Sequence, residues 1–128
     1  MLTNLDANIV INLLDTTKDT SQVESLIESE IVCVTPITVH ITWYFWEKGY
    51  IKCPQTRLLE FFDSVEILPM SKNSYQKALT ISKLEDIEDA MPVACCLDNR
   101  VDKIITSDGG LYAKYAKLLQ IVLIPNPK

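Results

Sequence analysis

Short β-rich apolar runs alternate along this chain with longer stretches whose apolar positions recur at helical spacing. LTNL (2–5) predicts a first strand, followed by a helix over Asn8–Leu14. Asp19 or Thr20 can cap a second helix with Val23, Leu26 and Ile27 as its apolar stripe. IVCV (31–34) is a strand by β propensity, and Pro36 then opens a helix that runs through ITVHITWYFWEK and stops at Gly49. Pro54 opens another helix, QTRLLEFFDS, which ends before the strand VEIL (65–68). SKNSYQKALTISKL (71–84) reads as a helix with Tyr75, Ala78, Leu79 and Ile81 inward, and a further helix follows LEDIEDAM to about Leu97. KIIT (103–106) predicts a strand, GLYAKYAKLL a helix and IVLI (121–124) the last strand.

Five apolar strands separated by helices predict a parallel sheet covered on both faces. The expected fold is a three-layer α/β/α sandwich with a central parallel sheet of four to five strands. No linker composition and no internal repeat interrupts it, so residues 1–128 are expected to form a single domain.

Charge narrows the chemistry. The net charge is −5, and residues 1–30 carry all of it: six acids against Lys18. Bulk electrostatics therefore cannot hold nucleic acid, and any such contact needs a metal or a local patch. Cys33, Cys53, Cys95 and Cys96 show neither CxxC nor zinc-finger spacing, and the adjacent pair reads as small hydrophobes in a core. The start of the chain has no basic region ahead of an apolar one, and no run approaches the roughly 18 apolar residues of a membrane span. The expectation is a cytoplasmic, reduced protein with no membrane contact.

In an open parallel sheet, ligands bind outside the carboxyl ends of the strands. Asp6 follows the first predicted strand directly, Asp108 follows KIIT after Ser107 alone, and Asp89 falls in the first turn of the helix after LEDIE. Each acid has an ordinary reading as a helix cap or turn residue. Together at strand ends they suit a hard cation such as Mg²⁺ or Mn²⁺, which prefers oxygen ligands and can activate water against a phosphodiester.

LDANIVINLL, with Asp6 and Asn8 after a strand, resembles the first motif of the PIN-domain family. DIEDA (86–90) is similar to that family's third motif, with Asp89 in the metal-binding slot, and IITSDGGL (104–111) resembles the fourth, with Asp108 in its slot. The resemblance spans the chain through the terminal IVLIPNP. It implies an endoribonuclease that uses Mg²⁺ or Mn²⁺ on RNA, of the kind found as toxins of toxin–antitoxin pairs. It further implies an antitoxin protein as partner and a homodimer through nearby helices. Asp6, Asp89 and Asp108 become the expected catalytic and metal residues, with Asn8, Thr106 and Ser107 supporting. Thr106 would orient an aspartate, while Ser107 has an alternative reading as an exposed turn residue.

Two positions depart from the family pattern. Its second motif places a Glu on the helix after the second strand, where this chain reads VTPITVHITWYFWEK, and the slot falls on His40, Ile41 or Thr42. Its fourth motif often carries a further acid where this chain has Gly110. The alternative reading is therefore a catalytically degenerate domain that binds RNA or protein, or dimerises, without cleaving.

Other features stay open between two readings. Pro92 distorts its helix if Asp86 is the cap, and costs little if the helix begins nearer Asp89. His40 is a substitute ligand or a packed or surface residue. Trp43, Tyr44, Phe45 and Trp46 point in four directions from a helix, so they suit an interface, two-sided burial or base stacking. Lys48, Lys52, Arg57, Lys83, Arg100 and Lys114 are candidate phosphate contacts, or simply solvated.

Overall fold

The computed structural model describes residues 1–127. Its elements are β1 (Leu2–Leu5), α1 (Ala7–Leu14), α2 (Ser21–Ile27), β2 (Ile31–Val34), α3 (Pro36–Glu47), α4 (Gln55–Ser64), β3 (Glu66–Ile67), α5 (Lys72–Ser82), α6 (Ile87–Asp98), β4 (Lys103–Thr106), α7 (Gly109–Tyr115) and β5 (Gln120–Leu123). The five strands form one sheet in the order β3-β2-β1-β4-β5, and every pairing is parallel.

Parallel strands buried on both faces need side chains that alternate between two cores, and adjacent residues here do so. Cys33 and Ile104 face Ala78, Ala90, Val93 and Leu111, so α5, α6 and α7 cover that side. Val34 and Ile105 face Ile9, Val10, Leu13 and Leu58, which places α1 to α4 on the other. Burying a side chain such as Leu5, at 0% exposure, contributes about 1.5–3 kcal/mol.

Three of the four consecutive aromatics are half-buried. Trp43, Phe45 and Trp46 pack against the α1–α4 core, and Trp46 Nε1 donates to the Cys53 carbonyl at 2.9 Å. Tyr44 is exposed, with Lys48 5.5 Å from its ring centre.

Several boundaries differ from the sequence expectation for identifiable reasons. β3 shrinks to two residues at the sheet edge, although the Leu68 amide still reaches the Val34 carbonyl at 2.9 Å. Tyr75 is exposed rather than inward, because Ser74 and Ala78 hold the buried face of α5. Asp86 is the N-cap of α6, so Pro92 lies inside the helix, where it cannot donate to the Glu88 carbonyl. The unusual backbone falls just ahead of that helix: Lys83, Leu84 and Asp86 are all left-handed, with φ of 54°, 65° and 47°. Without glycine, each such residue costs about 1–2 kcal/mol.

Topology fixes where the chemistry can lie. The chain moves outward from β1 through β2 to β3, then returns to the other side of β1 for β4 and β5. The sheet order therefore reverses between β1 and β4, and the crevice of such a sheet opens at their carboxyl ends.

Candidate metal centre

Asp6 and Asp108 stand at that reversal. The Asp6 amide donates to the Ile105 carbonyl at 3.0 Å, extending the β1–β4 ladder by one step. Asp6 occupies the N-cap position of α1, yet its side chain makes no capping bond to that helix. Its Oδ2 instead accepts from the Thr106 hydroxyl at 2.7 Å. Thr106 is fully buried, and its Oγ1 accepts the Asp108 amide at 3.0 Å. One threonine thus ties the backbone of one acid to the side chain of the other.

Asp108 does cap its helix. Its Oδ1 accepts the amides of Gly110 at 2.9 Å and Leu111 at 3.2 Å. A Cβ at position 110 would come within 3.2 Å of that same oxygen, so a side chain there crowds the capping carboxylate. This is a local reason for glycine where the family often has an acid.

Asp89 lies in the first turn of α6, exposed, near the positive end of the helix dipole. Asp6, Asp89 and Asp108 line one cleft of about 100 Å³, together with Ala7, Ile37, Thr38, Ile41, Glu88, Pro92 and Leu111. That volume is below the roughly 300 Å³ at which small-molecule pockets begin, and suits an ion and its waters better.

The remaining expected residues scatter. Asn8 is exposed on α1 and does not line the cleft. Ser107 is half-buried rather than exposed, and its Oγ has no hydrogen-bond partner. His40 is exposed and outside the cleft, and Thr42 is buried with its hydroxyl on the Thr38 carbonyl at 2.7 Å. Of the three possible slots on α3, the one that meets the cleft is Ile41. Glu88 lines the cleft too, a residue that the motif reading passed over.

The cleft holds four carboxylates and no basic residue. Burial raises the Asp6 pKa above its ordinary 3.8, the Thr106 hydroxyl and Ala7 amide oppose that, and the charges of Asp108 and Asp89 push it further up. Such a donor set fits a hard divalent cation in its chemistry. As placed, no three His, Cys, Asp or Glu side chains among the described residues close around one point. Closure about an ion therefore requires the carboxylates to turn inward.

Other candidates are already engaged. Arg57 caps the end of α1 through bonds to the Leu14 and Leu13 carbonyls at 2.8 and 3.0 Å. Lys114 pairs with Asp86. A larger cleft of about 330 Å³ between α1, the start of α2 and residues 124–127 contains one acid, Asp19. The Oδ1 of Asp19 is taken by the amide and hydroxyl of Ser21 at 3.0 and 2.8 Å. Among the described residues, no helix is long and apolar enough to cross a membrane.

A parallel sheet of this order with acids at its reversal point defines a class of α/β domain, and comparison gives it a family. The PIN domain profile matches residues 4–118, and the chain belongs to the PIN-domain family. No curated protein matches the sequence. Solved structures do share the fold. A toxin–antitoxin complex from Klebsiella pneumoniae superposes with a TM-score of 0.70 at 15% identity, covering 94% of this chain and 95% of that one. VapBC2 from Rickettsia felis, bound to a DNA fragment from their promoter, gives 0.67 at 16% identity and 98% coverage of both. The Mycobacterium tuberculosis toxin VapC20, described as cleaving the sarcin–ricin loop, gives 0.67 at 14% identity, with 87% of this chain and 93% of that one covered.

Proposed function

We propose that this chain is a divalent-cation-dependent endoribonuclease, the toxin of a toxin–antitoxin pair. The observation that carries the reading is one cleft at the sheet reversal, lined by Asp6, Asp89 and Asp108 with no base to neutralise them. The family and the kinds of protein that share its fold support RNA as substrate and an antitoxin as partner. A cytoplasmic location and a homodimer belong to the same reading, with exposed Tyr44, Tyr50 and Leu59 available for contact.

Asp6, Asp89 and Asp108 would hold Mg²⁺ or Mn²⁺. The bound cation supplies positive charge that acidifies water and offsets charge developing on a phosphodiester. The chain's own residues do the positioning. Thr106 fixes Asp6 relative to the Asp108 backbone, and the α7 amides restrain the Asp108 carboxylate through its Oδ1 alone.

A second reading has one observation in its favour. The α3 wall of the cleft is Ile37, Thr38 and Ile41, without a carboxylate, as in a degenerate domain that binds without cleaving. Calorimetric titration of EDTA-stripped protein with Mn²⁺, paired with an RNA cleavage assay, separates the two. The expected result is binding at roughly millimolar or tighter, abolished in Asp108→Asn together with cleavage. Asparagine caps helices as well as aspartate does, so the fold should survive the change. Absence of Mn²⁺ binding by the intact chain would sink the nuclease and leave the binding module.

A further inference from the structure

The acid missing from α3 has a counterpart across the cleft. Glu88 lies on α6, one residue before Asp89, and lines the cleft together with Asp89 and Pro92. Positions 88, 89 and 92 share a helix face, because residues three and four apart stack on successive turns. Glu88, Asp89 and Pro92 of α6 thus line the same cleft as Ile37 and Ile41 of α3.

Neutralisation of the acids around this helix is selective. The ion pairs among the described residues join Met1 and Lys103 to Glu30, and Lys114 to Asp86. Asp86, at the N-cap, thus has its cation, whereas Glu88, exposed at the rim of a cleft that Asp6, Asp89 and Asp108 also line, has none among the described residues. A glutamate also carries one more methylene than an aspartate, which gives it reach from the rim of the cleft toward its centre.

We infer that Glu88 stands in for the α3 acid, as a fourth oxygen donor toward the cation of the proposed site. The inference rests on that site. It assigns to this chain an α6 pair, Glu88 and Asp89, doing from one wall what two walls would otherwise share. Glu85 is the natural control, since it is exposed two residues ahead of α6 but lies outside the cleft.

The test is Mn²⁺ affinity of the EDTA-stripped full chain, read by calorimetry or by loss of the free-ion EPR signal, without reference to catalysis. Glu88→Gln is expected to weaken binding about tenfold or more, with unchanged thermal unfolding of the metal-free protein. Glu85→Gln should match the wild type. Adding Ile41→Glu to the Glu88→Gln chain should recover most of the loss, because it returns an acid to the α3 wall. Equal affinities for Glu88→Gln and Glu85→Gln, with Asp108→Asn still abolishing binding, would overturn the role of Glu88 and leave the site intact. A double variant that stays as weak as Glu88→Gln would equally refute substitution for the α3 acid. Failure of the wild type to bind, or indifference to Asp108→Asn, would remove the site and Glu88 with it.

Discussion

Asp6 and Asp15 sit at the two ends of α1, and the same fold treats them in opposite ways. Both are drawn out of water. Around Asp15, the Thr17 hydroxyl and amide donate at 2.6 and 2.9 Å and the Lys52 amide at 3.3 Å. Burial alone would raise its pKa, but those hydrogen bonds and nearby Lys18 bring it below the ordinary value. For Asp6 burial is the largest influence and raises the pKa; the Thr106 hydroxyl and the nearby Ala7 amide lower it, and Asp108 and Asp89, in place of a lysine, push it up again. One carboxylate is satisfied by its surroundings. The other lies among like charges, with no basic residue lining its cleft, which is what the proposed cation site would need.

The strongest way to break this contrast is Asp15→Ala. It orphans the Thr17 and Lys52 amides and should cost about 3 kcal/mol in urea unfolding. The depressed folded pKa adds a sign: the stabilisation from Asp15 is present above pH 3.8 and lost as pH falls through the lower folded value. Thr106→Val should come next, at about 2 kcal/mol by the same measurement, because it strands the part-buried Asp108 amide and the Asp6 oxygen together. The mildest change is Asp6→Asn in metal-free protein, and its sign is reversed. With the folded pKa above 3.8, ionised Asp6 weakens the fold progressively as pH rises through that window. The variant should therefore melt higher than wild type near neutral pH, with the gain gone below pH 3.8. Saturating Mn²⁺ should then stabilise the wild type alone. A variant that melts lower at neutral pH in the absence of metal would contradict the contrast.

Much of this arrangement could be read from the chain. Short strand-forming runs, LTNL and KIIT, with Asp6 and Asp108 just beyond them placed both acids at one end of the sheet, because parallel strands all end there. Pro36 and Gly49 marked the ends of α3 for conformational reasons, and Gly49 does take a φ of 79°. Less local features escaped. The phase of α3 against the cleft depends on packing with α1, so the slot could fall on His40, Ile41 or Thr42 until tertiary contact chose Ile41. The left-handed residues at 83, 84 and 86 carry no glycine to announce them. Glu88 looked like any solvated acid in LEDIED, since facing the cleft is a property of the face that α6 turns to the sheet edge.

The Thr106–Asp6 bond closes a span of 100 residues. A ribosome adding about 5–20 residues per second has Asp6 in hand roughly 5–20 s before Thr106 exists. Through that interval β1, the centre of the sheet, can pair on one side only, with β2. No partial chain that stops short of Asp108 holds the three acids in one place. On the proposed reading, synthesis interrupted before Asp108 yields fragments that lack one of the three acids and the strand pairing that brings them together.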